Sequence, residues 1–123
     1  MRSDAAVDTR TASQRITDEV GSWPGVGSGP GRRGEYAFRV GRREIGHLHG
    51  DHAAHFFFPR PLWAELMREG QVVAHPVFPD KQGPAARRIQ TDVDVRDVIA
   101  LMRLNYDRLL ASQPLDSGSG EQR

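Results

Sequence analysis

Residues 35–58 read EYAFRVGRREIGHLHGDHAAHFFF, and the alternation within this stretch decides the fold. On an extended chain Tyr36, Phe38 and Val40 point one way and Glu35, Ala37 and Arg39 the other, the pattern of a half-buried strand. Gly41-Arg42 can turn the chain back, so Arg43–His49 reads as a paired second strand. The period of two puts Arg43, Ile45, His47 and His49 on one face, and Glu44, Gly46 and Leu48 on the other. A third short strand is expected over Ala54–Phe58. There Phe56 and Phe58 share a side opposite Phe57, with core burial expected for two of the three rings.

Outward from this centre the period changes to that of helices. Ala12, Ile16 and Val20 recur every four residues and predict a helix over Thr11–Ser22, stopped by Pro24 and Gly25. Gly25–Gly34 has the composition of a loop. Downstream, Pro59 and Pro61 suit a helix start, and Leu62, Trp63, Leu66 and Met67 form its apolar stripe. Gly70 is placed to close that helix. Val72–Val77 and Ala85–Gln90 are weaker strand signals, separated by the turn-rich residues 79–84. The last helix starts at Thr91 or Asp92, and Val95, Val98, Ile99, Met102, Tyr106, Leu109 and Leu110 follow helical spacing. The expected fold is therefore α+β, a short antiparallel sheet with helices packed on one face. A single domain over residues 12–111 is expected between flexible tails at 1–11 and 112–123.

The chain has 123 residues, no cysteine and a net charge of +1 from 17 basic and 16 acidic residues. Its length suits one core, and disulfide and thiolate chemistry are excluded. Charge balance gives no general drive toward nucleic acid. No apolar run approaches the ~20 residues of a membrane span, and no secretory signal is evident, so a cytoplasmic location and no membrane partner are expected. The glycine-rich GSGPGRRG of residues 27–34 lacks the Gly-Lys-Ser/Thr of a phosphate loop, and Pro30 has no amide to donate.

Five histidines fall between Gly46 and His75, namely His47, His49, His52, His55 and His75, with Asp51 among them. Neutral imidazole is the commonest side-chain metal ligand. His47 and His49 on one strand would point the same way, about 7 Å apart at the backbone. A third ligand could come from His52, His55 or His75, and His47, His49 and His75 are taken as the candidate set. Such a site suits zinc, iron or manganese better than magnesium or calcium. Metal-free acid–base chemistry by a histidine beside Asp51 or Glu44 is a second possibility. Against both stands the ordinary role of half-buried histidines as hydrogen-bonding residues beneath a loop. Arg32, Arg33, Arg42 and Arg43, balanced by Glu35 and Glu44, read as a solvated face.

The run Arg43-Glu44-Ile45-Gly46-His47-Leu48-His49-Gly50-Asp51 resembles the signature of the luciferase-domain family. Phe58-Pro59, His75 with Pro79-Asp80, and Leu101–Tyr106 with its Leu-Asn-Tyr ending extend the resemblance to about residues 15–110. That family comprises small bacterial and fungal proteins and includes the fungal luciferases, which oxidise a hydroxylated pyrone with molecular oxygen and need no obvious organic cofactor. The resemblance implies His47, His49, Asp51, His75 and Asp80 as candidate site residues. Two departures stand out. Pro76 occupies the place of a second histidine, and Lys81-Gln82-Gly83-Pro84 replaces a Ser-Gly-Trp segment, so light emission is not expected. The order of elements is also similar to the double-wing domains of the YjbR type, an analogy of fold alone.

Three functions follow. The first is a histidine-rich small-molecule site, oxygenase-like by resemblance, which requires His47, His49 and His75 to converge in a hollow. The second is a binding or regulatory module for nucleic acid or protein, which requires Arg32, Arg33, Arg42, Arg43, Arg87 and Arg88 to gather on one face. The third is an interaction protein that dimerises through an apolar patch. Histidine clustering favours the first.

Overall fold

A computed structural model describes residues 7–112. The element order is α1 (Ala12–Gly21), β1 (Val26–Pro30), β2 (Tyr36–Val40), β3 (Arg43–His49), β4 (Ala53–Phe57), α2 (Arg60–Arg68), β5 (Val73–Ala74), β6 (Pro84–Arg88) and α3 (Asp92–Ala111). The six strands form one antiparallel sheet in the order β1-β2-β3-β4-β6-β5. The expected α+β architecture is present. Most of the two expected tails lies outside the described residues; of the rest, Thr11 caps α1 and Ser112 caps α3.

Local chemistry explains the helix ends. Thr11 with Gln14, and Thr91 with Asp94, each form a reciprocal capping box that satisfies amides at the first turn. Gly70 takes φ 73° just after α2, a conformation that suits glycine. α1 and α3 pack together and α3 lies across β2, β3 and β6. Ile16, Val20, Phe38, Ile45, Leu48, Phe56, Phe58, Leu66, Val98 and Met102 are buried in one continuous core fed by all three helices. Asp94 and Asp97 of α3 clamp the Arg87 guanidinium at 2.8 and 2.6 Å, tying β6 to the helix.

Two departures from the sequence reading matter. Residues 25–34 are not all loop, because Val26–Pro30 form the edge strand β1 against β2. Nothing in VGSGP alternates in hydrophobicity; the strand is made by pairing with β2 and by Ser28 Oγ meeting Tyr36 OH at 3.0 Å. The second departure is a register shift between Phe38 and Arg39. Phe38 pairs with Gly46 but Arg39 pairs with Glu44, which leaves Ile45 as an inserted residue, a β-bulge.

The bulge reverses the faces of the first half of β3. Ile45 is fully buried in the core instead of standing beside His47. Arg43 reaches Ser112 at the end of α3, with Nη1 donating to Oγ at 2.8 Å. Glu44 turns to the opposite face and joins His47. Strict alternation had assigned all three residues the other way.

Candidate functional site

On the face of the sheet away from α3, His47 of β3 stands directly opposite His55 of β4. His49 is two residues along β3 on the same face, and His75 follows the short strand β5 at the far side. Ring centroids lie 5.2 Å apart for His47 and His55, 4.9 Å for His47 and His49, and 4.2 Å for both His49–His55 and His55–His75. These four imidazoles line a hollow of about 760 Å³. Its walls are Pro30–Arg33 from the β1–β2 turn on one side and Val77 and Phe78 on the other, with Phe57, Glu35 and Arg39 between. Phe57 is 59% exposed while Phe56 and Phe58 are buried, so two rings of the triplet serve the core and one the hollow.

Hydrogen bonds separate the imidazoles by role. Glu44 Oε2 lies 2.7 Å from His47 Nδ1 and, as a carboxylate, accepts its proton, which leaves the Nε2 lone pair free. His75 Nδ1 accepts the Val77 amide at 3.1 Å, so the neutral ring carries its proton on Nε2 and is a donor there. His55 is 7% exposed, and its buried Nδ1 has no hydrogen-bond partner. Among the described residues it is the one buried side-chain polar atom left in that state.

The surroundings of His55, His49 and His75 favour their neutral forms. Burial first, then the neighbouring His49, His75 and His47, push His55 down to about 4. His49 and His75 are likewise lowered, by burial and then by other histidines of the cluster. In this geometry one nitrogen each from His47, His49 and His55 lie within 4.8 Å of one another, a spacing from which they could hold a metal ion.

The His55 shift gives a stability prediction for the metal-free chain. A histidine depressed from its ordinary 6.5 to about 4 binds its proton more readily when unfolded. Stability is then complete above pH 6.5 and falls through the interval down to pH 4, by about 2–3 kcal/mol in total. Urea titrations at pH 7, 5 and 4 measure it, and His55→Gln is expected to flatten the slope. An unchanged slope in that variant would count against the assignment.

The other expected site residues go elsewhere. Asp51 accepts the Ser13 amide at 2.8 Å, and that contact at the start of α1 holds its carboxylate below the ordinary range. His52 is exposed in the β3–β4 turn, and Asp80 is exposed in the turn before Lys81. His55, rather than His75, completes the group of three with His47 and His49, and His75 stands behind it. His55 was one of several options on sequence; its pairing opposite His47 follows from the length of the Gly50–His52 turn. Glu44 beside a histidine was an option on sequence, but strict alternation put it on the face opposite His47, and the bulge brings the two together. Arginines divide between faces: Arg32 and Arg33 line the hollow, whereas Arg43 and Arg87 are engaged with α3. No helix among the described residues is long and apolar enough to cross a membrane.

Residues 42–105 match the family model described as Luciferase domain, a span that contains β3, β4 and all four imidazoles of the hollow. Neither the curated proteins nor the solved structures include a significant match.

Proposed function

This chain belongs to the Luciferase domain family, and from that premise we propose that the imidazole hollow is a small-molecule site with oxygenase-like chemistry. The observation that carries the reading is the convergence of His47, His49, His55 and His75 on one concavity. Small-molecule sites combine apolar walls with a few convergent polar groups. Phe57, Val77 and Phe78 supply the first, and the imidazoles the second. An oxidisable, hydroxylated ring would lie against Phe57 and Phe78 with its oxygens toward the histidines. A neutral imidazole can take the hydroxyl proton and so raise the electron density that oxygen attacks, while the Nε2–H of His75 can donate to the resulting anion. Arg32, Arg33 and Arg39 of the lining, set against the single carboxylate of Glu35, favour the same negative charge.

The test uses hydroxylated pyrones and catechols as probes. Titration into protein with labelled histidines is expected to move the ring signals of His47, His49, His55 and His75 and to leave exposed His52 unmoved. Oxygen uptake above the buffer rate should accompany the probe that binds best. Ring signals that stay still across the panel, with uptake at the buffer rate, would remove this reading.

A further inference from the structure

We propose that His47, His49 and His55 bind one divalent first-row transition-metal ion, with Glu44 orienting His47 and His75 donating a hydrogen bond to the group at the ion's open position. The inference rests on the hollow being the working site, but its test requires no organic substrate.

Four observations carry it. First, three ligand nitrogens already lie within 4.8 Å of one another on adjacent strands. An ion bonded at 2.0–2.1 Å in tetrahedral geometry spaces its nitrogens about 3.4 Å apart, so modest side-chain rotation closes the set. His49, the exposed member, has the freedom to swing. Second, the Nδ1 of His55 is buried without a partner in a ring that is only 7% exposed. Buried polar atoms nearly always have partners, and a bound ion would supply a reason for this one at the site itself.

Third, the 2.7 Å contact from His47 Nδ1 to Glu44 fixes that ring's proton on the outer nitrogen. A carboxylate behind a histidine in this way raises the basicity of the ligating nitrogen and holds the ring in place. On this face of the sheet the bulge at Ile45 turns Glu44 toward His47. Fourth, His75 has the reverse tautomer. Its Nδ1 is committed to the Val77 amide, so its Nε2 bears hydrogen and donates rather than ligates.

Three neutral nitrogens with a vacancy are the ligand count of a catalytic rather than a structural centre. The all-imidazole set selects zinc, iron, copper or nickel over magnesium and calcium. The three arginines of the lining outnumber its one carboxylate, Glu35, and so favour an ion whose open position holds an anion.

Untagged protein, stripped with chelator, is titrated with Zn²⁺ and, for its visible spectrum, Co²⁺. One ion per chain is expected, with Co²⁺ bands of a four-coordinate nitrogen-rich site. His49→Ala and His55→Gln should each weaken binding by more than about 100-fold, and Glu44→Gln by about 10–100-fold. His75→Ala and His52→Ala should stay within about threefold of the parent, since neither supplies a ligand. Circular dichroism checks each variant, and His49→Ala decides the matter if His55→Gln does not fold. Absence of saturable binding to the folded parent overturns the proposal, as does a loss in His75→Ala equal to that in His49→Ala. Should organic probes still move the ring signals of a protein that takes up no metal, the ion falls and the small-molecule reading stands. Metal uptake by a protein whose ring signals no organic probe moves, with or without the ion, supports the ion and removes the small-molecule reading.

Discussion

Replacing Asn105 with leucine is expected to lower the stability of the fold by about 3 kcal/mol and to release Glu44 from His47. Pairing of β3 with β4 ends at His47 opposite His55, and the next two pairs in register, Gly46 with Phe56 and Ile45 with Phe57, are missing. The fully buried Asn105 of α3 occupies that fork. Its Nδ2 donates to Ile45 O at 2.8 Å and to Phe57 O at 3.2 Å, while Oδ1 accepts from Arg108 Nε at 2.8 Å. Leucine fills a similar volume but strands all three partners, and each buried polar group left unmet costs about 1–3 kcal/mol. A midpoint drop of about 10–20 °C should result for a domain this size. Since Ile45 is the bulged residue, the same change should loosen the turn of Glu44 toward His47. Histidine-ring NMR reads this as loss of the Nδ1–H tautomer at His47. A variant that melts like the parent and keeps that tautomer would contradict the role of Asn105.

Gly46→Val is expected to cost about 3 kcal/mol, for steric reasons. A Cβ at position 46 would stand 2.9 Å from Met102 Sδ, 3.0 Å from Met102 Cε and 3.1 Å from the His55 carbonyl. The thioether end of Met102 can shift, although it is fully buried; the carbonyl belongs to the β4 backbone and cannot shift far. Valine adds two more carbons to the collision, so α3 must lift from the sheet or β3 must part from β4. Gly46→Ala should cost less, about 1 kcal/mol, because mainly Met102 needs to move. In a Met102→Ala background the alanine penalty should largely vanish, giving a clear coupling in a double-mutant cycle. Strictly additive penalties would show that Gly46 is required for something other than this contact.

Much of the scaffold was legible because its signals are local. The stripe Ala12, Ile16 and Val20 announces α1, a cap at Thr91 or Asp92 marks the start of α3, and the alternation of residues 36–40 states which side of β2 is buried. β3 was read to its observed ends. What escaped was set by pairing partners distant in sequence. VGSGP carries no strand pattern and becomes β1 only because β2 offers it a ladder. The inserted Ile45 looks like any alternating residue until its partners Phe38 and Arg39 are known, and with it went the facing of Arg43 and Glu44. For the candidate site the histidine clustering was visible, and so was the family likeness. Which three imidazoles come together was not, since that depends on a strand register and on a hydrogen bond from the Val77 amide. Asp51 and Asp80 lie in turns that carry them away from the hollow.

One sheet here acts as a partition, with hydrocarbon on one side and reactive heterocycles on the other. Cargo on the outer side can therefore be exchanged at small risk to folding, since apart from His55 and His75 the lining draws little on the interior. A lineage built on this plan is free to try new chemistry one side chain at a time, and Val77 and Phe78, exposed residues that line the concavity, are where such tinkering would show first.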